Sequence, residues 1–410
     1  MYLARQNAYQ PLLPGIRYLE WEVDNPSNTE LLYLVAPTLQ RLHLQFRTMN
    51  RFPKEEWLTS IPLLFRSAIK LTPHLTHLTV SSKNVPIQEL QRHVATYCKG
   101  QVALRTLELE RGKVEYAVGH ETVWEHHFDK LDSLENLKLG VRYSHSPRYR
   151  SEPKAMVHPR LKSLTIADHS GKEEVYRVFK TPNLRSLTIV HKTNVKIPVS
   201  DKICKTIVAQ FPSITAIRIE FKPPSFMLSH RKQPMVKAIQ PLFELRNIRE
   251  ASFDLLGLEV VMTNADVAAI VKAWPQLTTL TMMHPWLNGP QAPGIPALLS
   301  VARTGTNLRA LDLSHLYLSH GDLSAVRNEG VLPCNKNVEV VRVRSVLNEL
   351  DKSRGGLSAF CALLDALFPN LDIHQSHAHE PAGTEHREEW AKILRSLREH
   401  RRSRLVPTSS

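Results

Sequence analysis

The sequence predicts an α/β solenoid in which a short strand and a helix alternate along the chain. Three observations predict it: an apolar hexapeptide pattern recurs at a nearly constant step, helical patterns fill the intervals, and prolines recur at one phase of the repeat. An elongated repeat protein avoids the limit of roughly 250 to 300 residues on a single core, so 410 residues can form one such body.

The hexapeptide has apolar residues at positions i, i+3 and i+5 and mostly polar residues at i+2 and i+4. This alternation is typical of a strand with one buried face. Thirteen starts span 355 residues, with steps of 23 to 36 and a mean of about 30, which indicates leucine-rich repeats. The starts are Ile16, Leu39, Leu75, Leu104, Leu134, Leu161, Leu184, Ile214, Ile248, Leu277, Leu308, Val338 and, in degenerate form, Leu371.

Helical patterns such as SDKICKTIVAQ, NADVAAIVKAW and GLSAFCALLDALF separate the predicted strands. Successive strands joined by a helix run parallel, because a parallel pairing needs a long crossover connection. We therefore predict a curved right-handed superhelix of about 12 to 13 irregular repeats. The parallel sheet would line its concave face and the helices its convex face.

Proline marks the return from helix to strand. Eight of the 27 prolines stand two residues before a repeat start, where a fixed φ favours an extended chain and ends the helix. A regular repeat would carry Asn or Cys at i+8, but that position holds residues such as Lys83, Gly112 and Pro285. We expect irregular turns whose backbone groups bond water or other side chains.

The stretches LLPGIRYLEWEV, VAPTLQRLHL and LDALFPNLDI resemble the repeat region of fungal F-box-like proteins, over roughly residues 11 to 375. The resemblance implies that the repeats capture a protein for ubiquitination, while an N-terminal F-box docks on the adaptor of a cullin-type ligase. This chain departs from the pattern, because only fifteen residues precede Ile16. A cullin-ligase adaptor is therefore expected as a partner only if an F-box lies upstream.

These patterns divide the chain into four predicted parts. They are a short N-terminal segment over residues 1–15, a solenoid over 16–380, a C-terminal capping helix over 381–403 and a disordered tail over 404–410. The capping helix is predicted because Trp390, Ile393, Leu394 and Leu397 fall on one helical stripe. A partner-binding helix is the alternative interpretation of this stripe.

Targeting signals and enzyme motifs are missing from the sequence. We find no signal peptide, no apolar run of membrane-spanning length and four widely spaced cysteines, so we expect a soluble cytoplasmic or nuclear protein with no membrane partner. No P-loop, GxSxG or GxGxxG is present, and we predict neither an enzyme nor a cofactor. His374, His377 and His379 lack a defined fourth ligand, so we predict no metal site.

The net charge of +14 raises the question of nucleic acid. The outward strand positions i+2, i+4 and i+6 carry five basic and eight acidic residues, so a nucleic-acid partner is unlikely to bind the predicted groove. The basic surplus lies in VRYSHSPRYRSEPK, FKPPSFMLSHRKQPMVK and REHRRSRL. An alternative function is therefore a scaffold that binds RNA or DNA through these loops and the tail.

We expect a non-enzymatic scaffold that binds a protein on its concave face. The family resemblance further implies the substrate-receptor region of an F-box-type ubiquitin ligase subunit. Small polar residues such as Thr165 and Thr188 would form the middle of the groove and let another chain approach closely. Charged and aromatic residues around it would anchor the partner. The predicted protein-binding residues are Tyr18, Glu20, Arg41, His43, Glu108, Arg218, Arg342 and Arg344.

Overall fold

A computed structural model describes residues 11–24, 30–46, 54–82, 94, 96, 98, 101–110, 114–117, 131–144, 156–168, 171–191, 201–221, 233–255, 260–284, 292–327, 331–350, 355–377 and 385–405. The chain divides into two compact units, one of Met1–Val195 with Ala209–Ser213 and one of Lys196–Val208 with Ile214–Ser410. Each unit combines parallel strands with helices, which confirms the predicted α/β class.

In the first unit, seven strands form one parallel run in the order β1-β2-β3-β4-β6-β8-β10, while β5 pairs with β6 and β7 with β9. Three helices accompany them among its described residues. The bounds are β1 Tyr18–Val23, α1 Leu31–Leu34, β2 Arg41–Phe46, α2 Lys54–Leu71, β3 His77–Ser82, β4 Thr106–Glu110, β5 Val114–Ala117, β6 Asn136–Ser144, β7 Met156–Val157, β8 Ser163–Asp168, α3 Glu174–Arg177, β9 Phe179–Lys180 and β10 Ser186–His191.

The second unit has a parallel run in the order β11-β13-β15-β16-β17, and β12 pairs with β14. Most of helix α4 also belongs to it. The bounds are α4 Asp201–Gln210, β11 Ala216–Phe221, β12 Gln233–Pro234, α5 Met235–Ile239, a 3-10 helix Gln240–Glu244, β13 Glu250–Asp254, β14 Val260–Val261, α6 Asn264–Ala273, β15 Thr279–Met283, α7 Ile295–Thr304, β16 Ala310–Leu318, α8 His320–Arg327, β17 Val340–Asn348, α9 Gly356–Leu367 and α10 Glu385–Leu405.

The apolar motif sets the register of both runs, because residues at the same repeat position pair with one another. Every i+3 side chain is buried, so a continuous apolar column runs across each set of strands. The column contains Leu19, Leu42, Leu78, Leu107, Leu137, Leu164 and Leu187 in the first unit and Ile217, Ala251, Leu280, Leu311 and Val341 in the second.

The first twelve predicted repeats thus each contribute a strand, but the prediction for the thirteenth is wrong. LDIHQS forms turns rather than a strand. Its first backbone bond still follows the ladder, from Asp372 N to Glu339 O at 2.7 Å. The Asp372 carboxylate then accepts bonds from the amides of Gln375 and His374, which lower its pKa and fold the chain into a turn.

In several repeats, the side chain directly before the repeat start donates a hydrogen bond to a backbone carbonyl of the preceding repeat. The Asn183 amide donates to Pro159 O at 2.8 Å, and Asn307 donates to Pro275 O at the same distance. Asn370 bonds Lys336 O at 2.8 Å in the same way. Each side chain reaches the carbonyl at the corresponding turn of the preceding repeat. These bonds link the turns of successive repeats.

Local sequence signals position several helices of the second unit. Thr263 and Asp266 form a capping box at the start of α6, with Thr263 N donating to the Asp266 carboxylate at 2.7 Å. Gly294 precedes α7, where an added Cβ would lie 2.5 Å from Tyr317 O. Only glycine fits that approach without movement.

Helix α10 packs on α9 and β17 and buries Trp390, Ile393, Leu394 and Leu397. Arg401 holds its end in place by donating to the Asp365 carboxylate at 2.7 Å and to Leu371 O at 2.7 Å. The helix continues to Leu405, inside the part we predict as a disordered tail, because Arg404 also bonds Asp365. Residues 406–410 lie outside the described residues.

We expect Leu187→Ala to lower the free energy of unfolding by about 2 to 5 kcal/mol, because Leu187 is fully buried in the i+3 column. Chemical denaturation measures the loss. Thr188→Ala is the matched control on the opposite side of the same strand and should change the free energy by less than about 0.5 kcal/mol. Equal losses in both variants would contradict the observed sidedness of the strand.

Candidate functional site

The eight predicted binding residues are divided between the two units. Five lie on the first unit and three on the second. The first group is Tyr18, Glu20, Arg41, His43 and Glu108, and the second is Arg218, Arg342 and Arg344. All stand at the i+2, i+4 or i+6 positions, which alternate with the buried columns.

Three residues of the first group form a chain of polar contacts across β1, β2 and β3. Tyr18 OH donates to Glu20 Oε2 at 2.9 Å, and this bond raises the pKa of the Tyr18 phenol. His43 Nδ1 lies 3.3 Å from Glu20 Oε1. His43 Nε2 lies 3.2 Å from Ser81 Oγ. The sequence predicted the first three residues but not Ser81.

The order Ser81, His43, Glu20 matches the order of nucleophile, base and carboxylate in serine hydrolases. Acyl transfer also requires an exposed nucleophile and preorganised donors for the developing oxyanion. Ser81 is only 8% exposed. Its position within a strand that is paired on both sides leaves its hydroxyl little access to a substrate.

Arg41 and Glu108 occupy the same face of the first unit. Arg41 is exposed and pairs in register with His77 on the next strand. Glu108 lies 3.6 Å from Lys138 on the neighbouring strand, and both side chains are partly exposed. Such a partly exposed pair contributes little to stability.

The charged residues of the second group are engaged within their own unit. Arg218 Nε lies 2.6 Å from Glu220 Oε1. Arg342 Nη1 lies 3.3 Å from Asp312 Oδ1, and its Nε donates to Gln375 O at 2.9 Å. Arg342 therefore holds the turn that follows α9, which makes it a poor anchor for a partner. Arg344 also has interactions within the chain.

Sequence reasoning missed the exposed column at i+1, which lies at the N-terminal ends of the strands. In the first unit this column carries Arg17, Arg105, Lys162 and Arg185 against the single acidic residue Glu135. The signal is visible in LRTLEL, LKSLTI and LRSLTI, where a basic residue follows the first leucine. A charge count over i+2, i+4 and i+6 leaves this column out and therefore understates the positive charge at the N-terminal ends of the strands.

Four basic residues interact in a connected cluster, which we call the basic edge: Arg41, Arg105, Arg160 and Lys162. Lys162 Nζ lies 2.7 Å from Glu135 Oε2, and this bond lowers the pKa of Glu135, with further contributions from Arg105 and Arg160. Arg41 and Arg105 also act together on His77. Three cations thus act on the Glu135 carboxylate, while Arg41 acts on His77.

The pKa of His77 depends on the charges of this cluster. Partial burial is the largest cause of its lowered pKa, and the Arg41 and Arg105 charges lower that pKa further, while the Glu108 charge raises it. The lowered pKa favours the neutral imidazole near pH 7, so His77 adds no charge to the basic edge there.

Next to the basic edge, the strands β8 and β10 present short polar side chains. Ser163, Thr165, Ser186 and Thr188 are half-buried and stand in register, with Thr165 opposite Thr188. Because these side chains are short, they form a shallow part of the sheet surface over β8 and β10, next to Lys138 on β6. The polar middle that the sequence predicts is therefore present within this unit.

Other sequence candidates gain no support from the described residues. Among them, no three His, Cys, Asp or Glu side chains are grouped to hold a metal ion. His379 and the central parts of both basic loops, residues 145–155 and 222–232, lie outside the described residues. No described helix is both long and apolar enough to cross a membrane.

We expect Arg105→Gln to raise the pKa of His77, because it removes one of the two cations that disfavour the imidazolium. Glu108→Gln should lower the same pKa further, since it removes the opposing carboxylate. Histidine NMR titration measures both shifts, with His77→Gln to assign the signal. Shifts of the same sign in the two variants would contradict the arrangement.

We expect Ser81 to remain unlabelled by a fluorophosphonate probe, because its hydroxyl is nearly buried in a paired strand. Intact-protein mass spectrometry after incubation, with a serine hydrolase as the positive control, makes the measurement. Ser81→Ala identifies any adduct that does form. A stoichiometric adduct that this substitution abolishes would instead indicate an activated nucleophile.

Comparisons with known proteins provide no family assignment. No protein-family model matches the chain, and no curated protein matches its sequence. Among solved structures, the chain is similar to a crystal structure of a Bacteroides fragilis protein determined by a structural genomics consortium. That match has 11% sequence identity and a TM-score of 0.33, and it covers 83% of this chain and 76% of the other.

Proposed function

We propose that the chain is a leucine-rich-repeat solenoid that acts as a non-enzymatic recognition scaffold and binds a protein on its strand face. In this proposal the strands line the concave side of a right-handed superhelix. One observation carries it: across parallel strands in register, each motif buries its i+3 side chain and places i+2 and i+4 on the opposite, outer face. Repeat proteins bind partners on such extended faces.

The composition of the first unit's face supports binding rather than catalysis. Tyr18 is an aromatic side chain with 55% exposure, and the basic edge lies beside the low floor around Thr165. Exposed aromatic and arginine side chains are the usual anchors of protein interfaces. Ser81, which would have to act as the nucleophile of a serine hydrolase, is nearly buried.

From the resemblance of its motifs, we further propose that the chain is the substrate-receptor region of an F-box-type ubiquitin ligase subunit. A cullin-ligase adaptor would then be recovered with it if an F-box accompanies the repeats. The basic edge favours a second candidate, a scaffold that associates with nucleic acid, since cationic clusters are the usual footprint of phosphate binding. Recovery of partners with and without nuclease separates these two functions.

The test is affinity capture from an extract of the source organism, with nuclease treatment and with a variant whose strand face is blocked. Thr165→Trp with Thr188→Trp places two large side chains on the low floor and should abolish capture of the partner. Leu63→Trp is the matched control, because Leu63 is 62% exposed on α2, away from the strands. Thermal melting checks that all variants fold.

Nuclease-resistant capture that the blocked face loses and the Leu63→Trp variant keeps supports the proposed function. A cullin adaptor among the captured proteins supports the ligase assignment. Capture that nuclease abolishes supports the nucleic-acid scaffold. Equal capture by the blocked variant contradicts binding on this face.

A further inference from the structure

The charges on the outer face of the first unit are separated by position along the strands. The basic edge, Arg41, Arg105, Arg160 and Lys162, lies at the N-terminal ends. The carboxylates of Glu20 and Glu108 lie at i+4, about 7 to 10 Å further along strands that rise about 3.3 Å per residue. A partner that covers this face meets positive charge on one side and negative charge on the other.

The positive charge of the basic edge is not neutralised within the described part of the chain. Lys162 is bonded to Glu135, and Arg105 and Arg160 share that same carboxylate. For Arg41 the structure gives no carboxylate partner among the described residues. Its charge contributes to the lowered pKa of His77. Three cations thus act on one carboxylate, and the exposed side chains of Arg41, Arg105 and Arg160 can reach an anion on a partner.

The second unit provides an internal comparison. There Arg218 pairs with Glu220, and Arg342 pairs with Asp312. Both of these arginines stand at i+4 and are paired with carboxylates of the same unit, whereas Arg249 and Arg309 are exposed at i+1. Exposed cations at i+1 are therefore present in both units, and the first unit differs in grouping Arg105, Arg160 and Lys162 around Glu135.

The spacing of the cations fits an extended acidic peptide. Arg41 is on β2, Arg105 directly precedes β4, and Lys162 directly precedes β8, so each is two strands from the next. Neighbouring strands lie about 4.8 Å apart, which places each of the three cations roughly 10 Å from the next. An extended chain advances the same distance in about three residues.

The carboxylates at i+4 argue against a nucleic acid as the occupant. A single strand carries a phosphate at every nucleotide, and its affinity depends on neutralising many of them. On this face a nucleic acid would lie beside the Glu20 carboxylate, whose charge repels it, whereas Glu108 is paired with Lys138. A peptide avoids this repulsion, because only its side chains toward the N-terminal ends need to be acidic.

We propose that the basic edge binds an extended segment of a partner protein in which Asp or Glu, or phosphorylated Ser or Thr, recurs at about every third residue. The segment crosses β2 to β8 along their N-terminal ends, over the turns that precede the strands. This inference rests on the proposed protein-binding function and specifies the chemistry of the partner.

The experiment is selection of short random peptides on the immobilised full chain, followed by fluorescence anisotropy with an enriched peptide and with oligothymidylate. We expect enriched peptides to carry acidic residues about three positions apart. Arg41→Glu with Arg105→Glu should weaken their binding by roughly tenfold or more, because it places carboxylates where the partner's acidic groups lie.

Arg66→Glu with Lys70→Glu is the matched control, since both residues are exposed on α2 and the change in net charge is identical. We expect it to weaken binding by less than about twofold at physiological ionic strength, where distant charges are screened. Thermal melting reports folding, and Arg41→Gln with Arg105→Gln replaces the reversal if that variant does not fold.

Each result bears on one of the two proposals. Acidic peptides whose binding depends on Arg41 and Arg105 support the inference. Enriched peptides without acidic residues, or equal losses in the α2 control, overturn it and leave the scaffold function intact. Tighter binding of oligothymidylate that depends on the same arginines overturns it in favour of nucleic acid. Failure to enrich any peptide counts against both proposals.

Discussion

The parallel register of equivalent repeat positions is the constraint on which the rest of each unit depends. Because the i+3 residues pair with one another from strand to strand, a single apolar column such as Leu164 beside Leu187 closes the core along the run. A slip of one residue would turn every leucine to the outer face and bury the polar residues between them. Burial of this column therefore fixes both the core and the composition of the exposed face.

The same register determines which charges meet. Residues aligned at i+4 bring Glu108 beside Lys138 in the first unit and Asp312 beside Arg342 in the second, so charges at this position are paired in both. At i+1 of the first unit, the column carries Arg105, Glu135, Lys162 and Arg185 in succession, and the cations outnumber the carboxylate. The charge of each strand face thus depends on a few residues carried by a shared backbone pattern.

Side chains from the next repeat bond several backbone carbonyls in the turns between elements. Asn183, Asn307 and Asn370 each bond a carbonyl at the preceding turn. Arg401 donates to carbonyls after α9 while it pairs with Asp365. These bonds join residues that are 24 to 36 positions apart, so their partners are defined only after the strands have stacked.

The sequence by itself determined the α/β class, the parallel strands of the first twelve repeats and the residues of the apolar columns, because strand alternation and repeat period are local patterns. It also gave Tyr18, Glu20 and His43 as neighbours on one face. Tertiary structure decided which charged residues are engaged: Arg342 is bonded to Asp312 and Gln375, whereas Arg41 and Arg105 are exposed. Neutralisation depends on distances between strands roughly thirty residues apart, and a hexapeptide pattern carries no information about those distances.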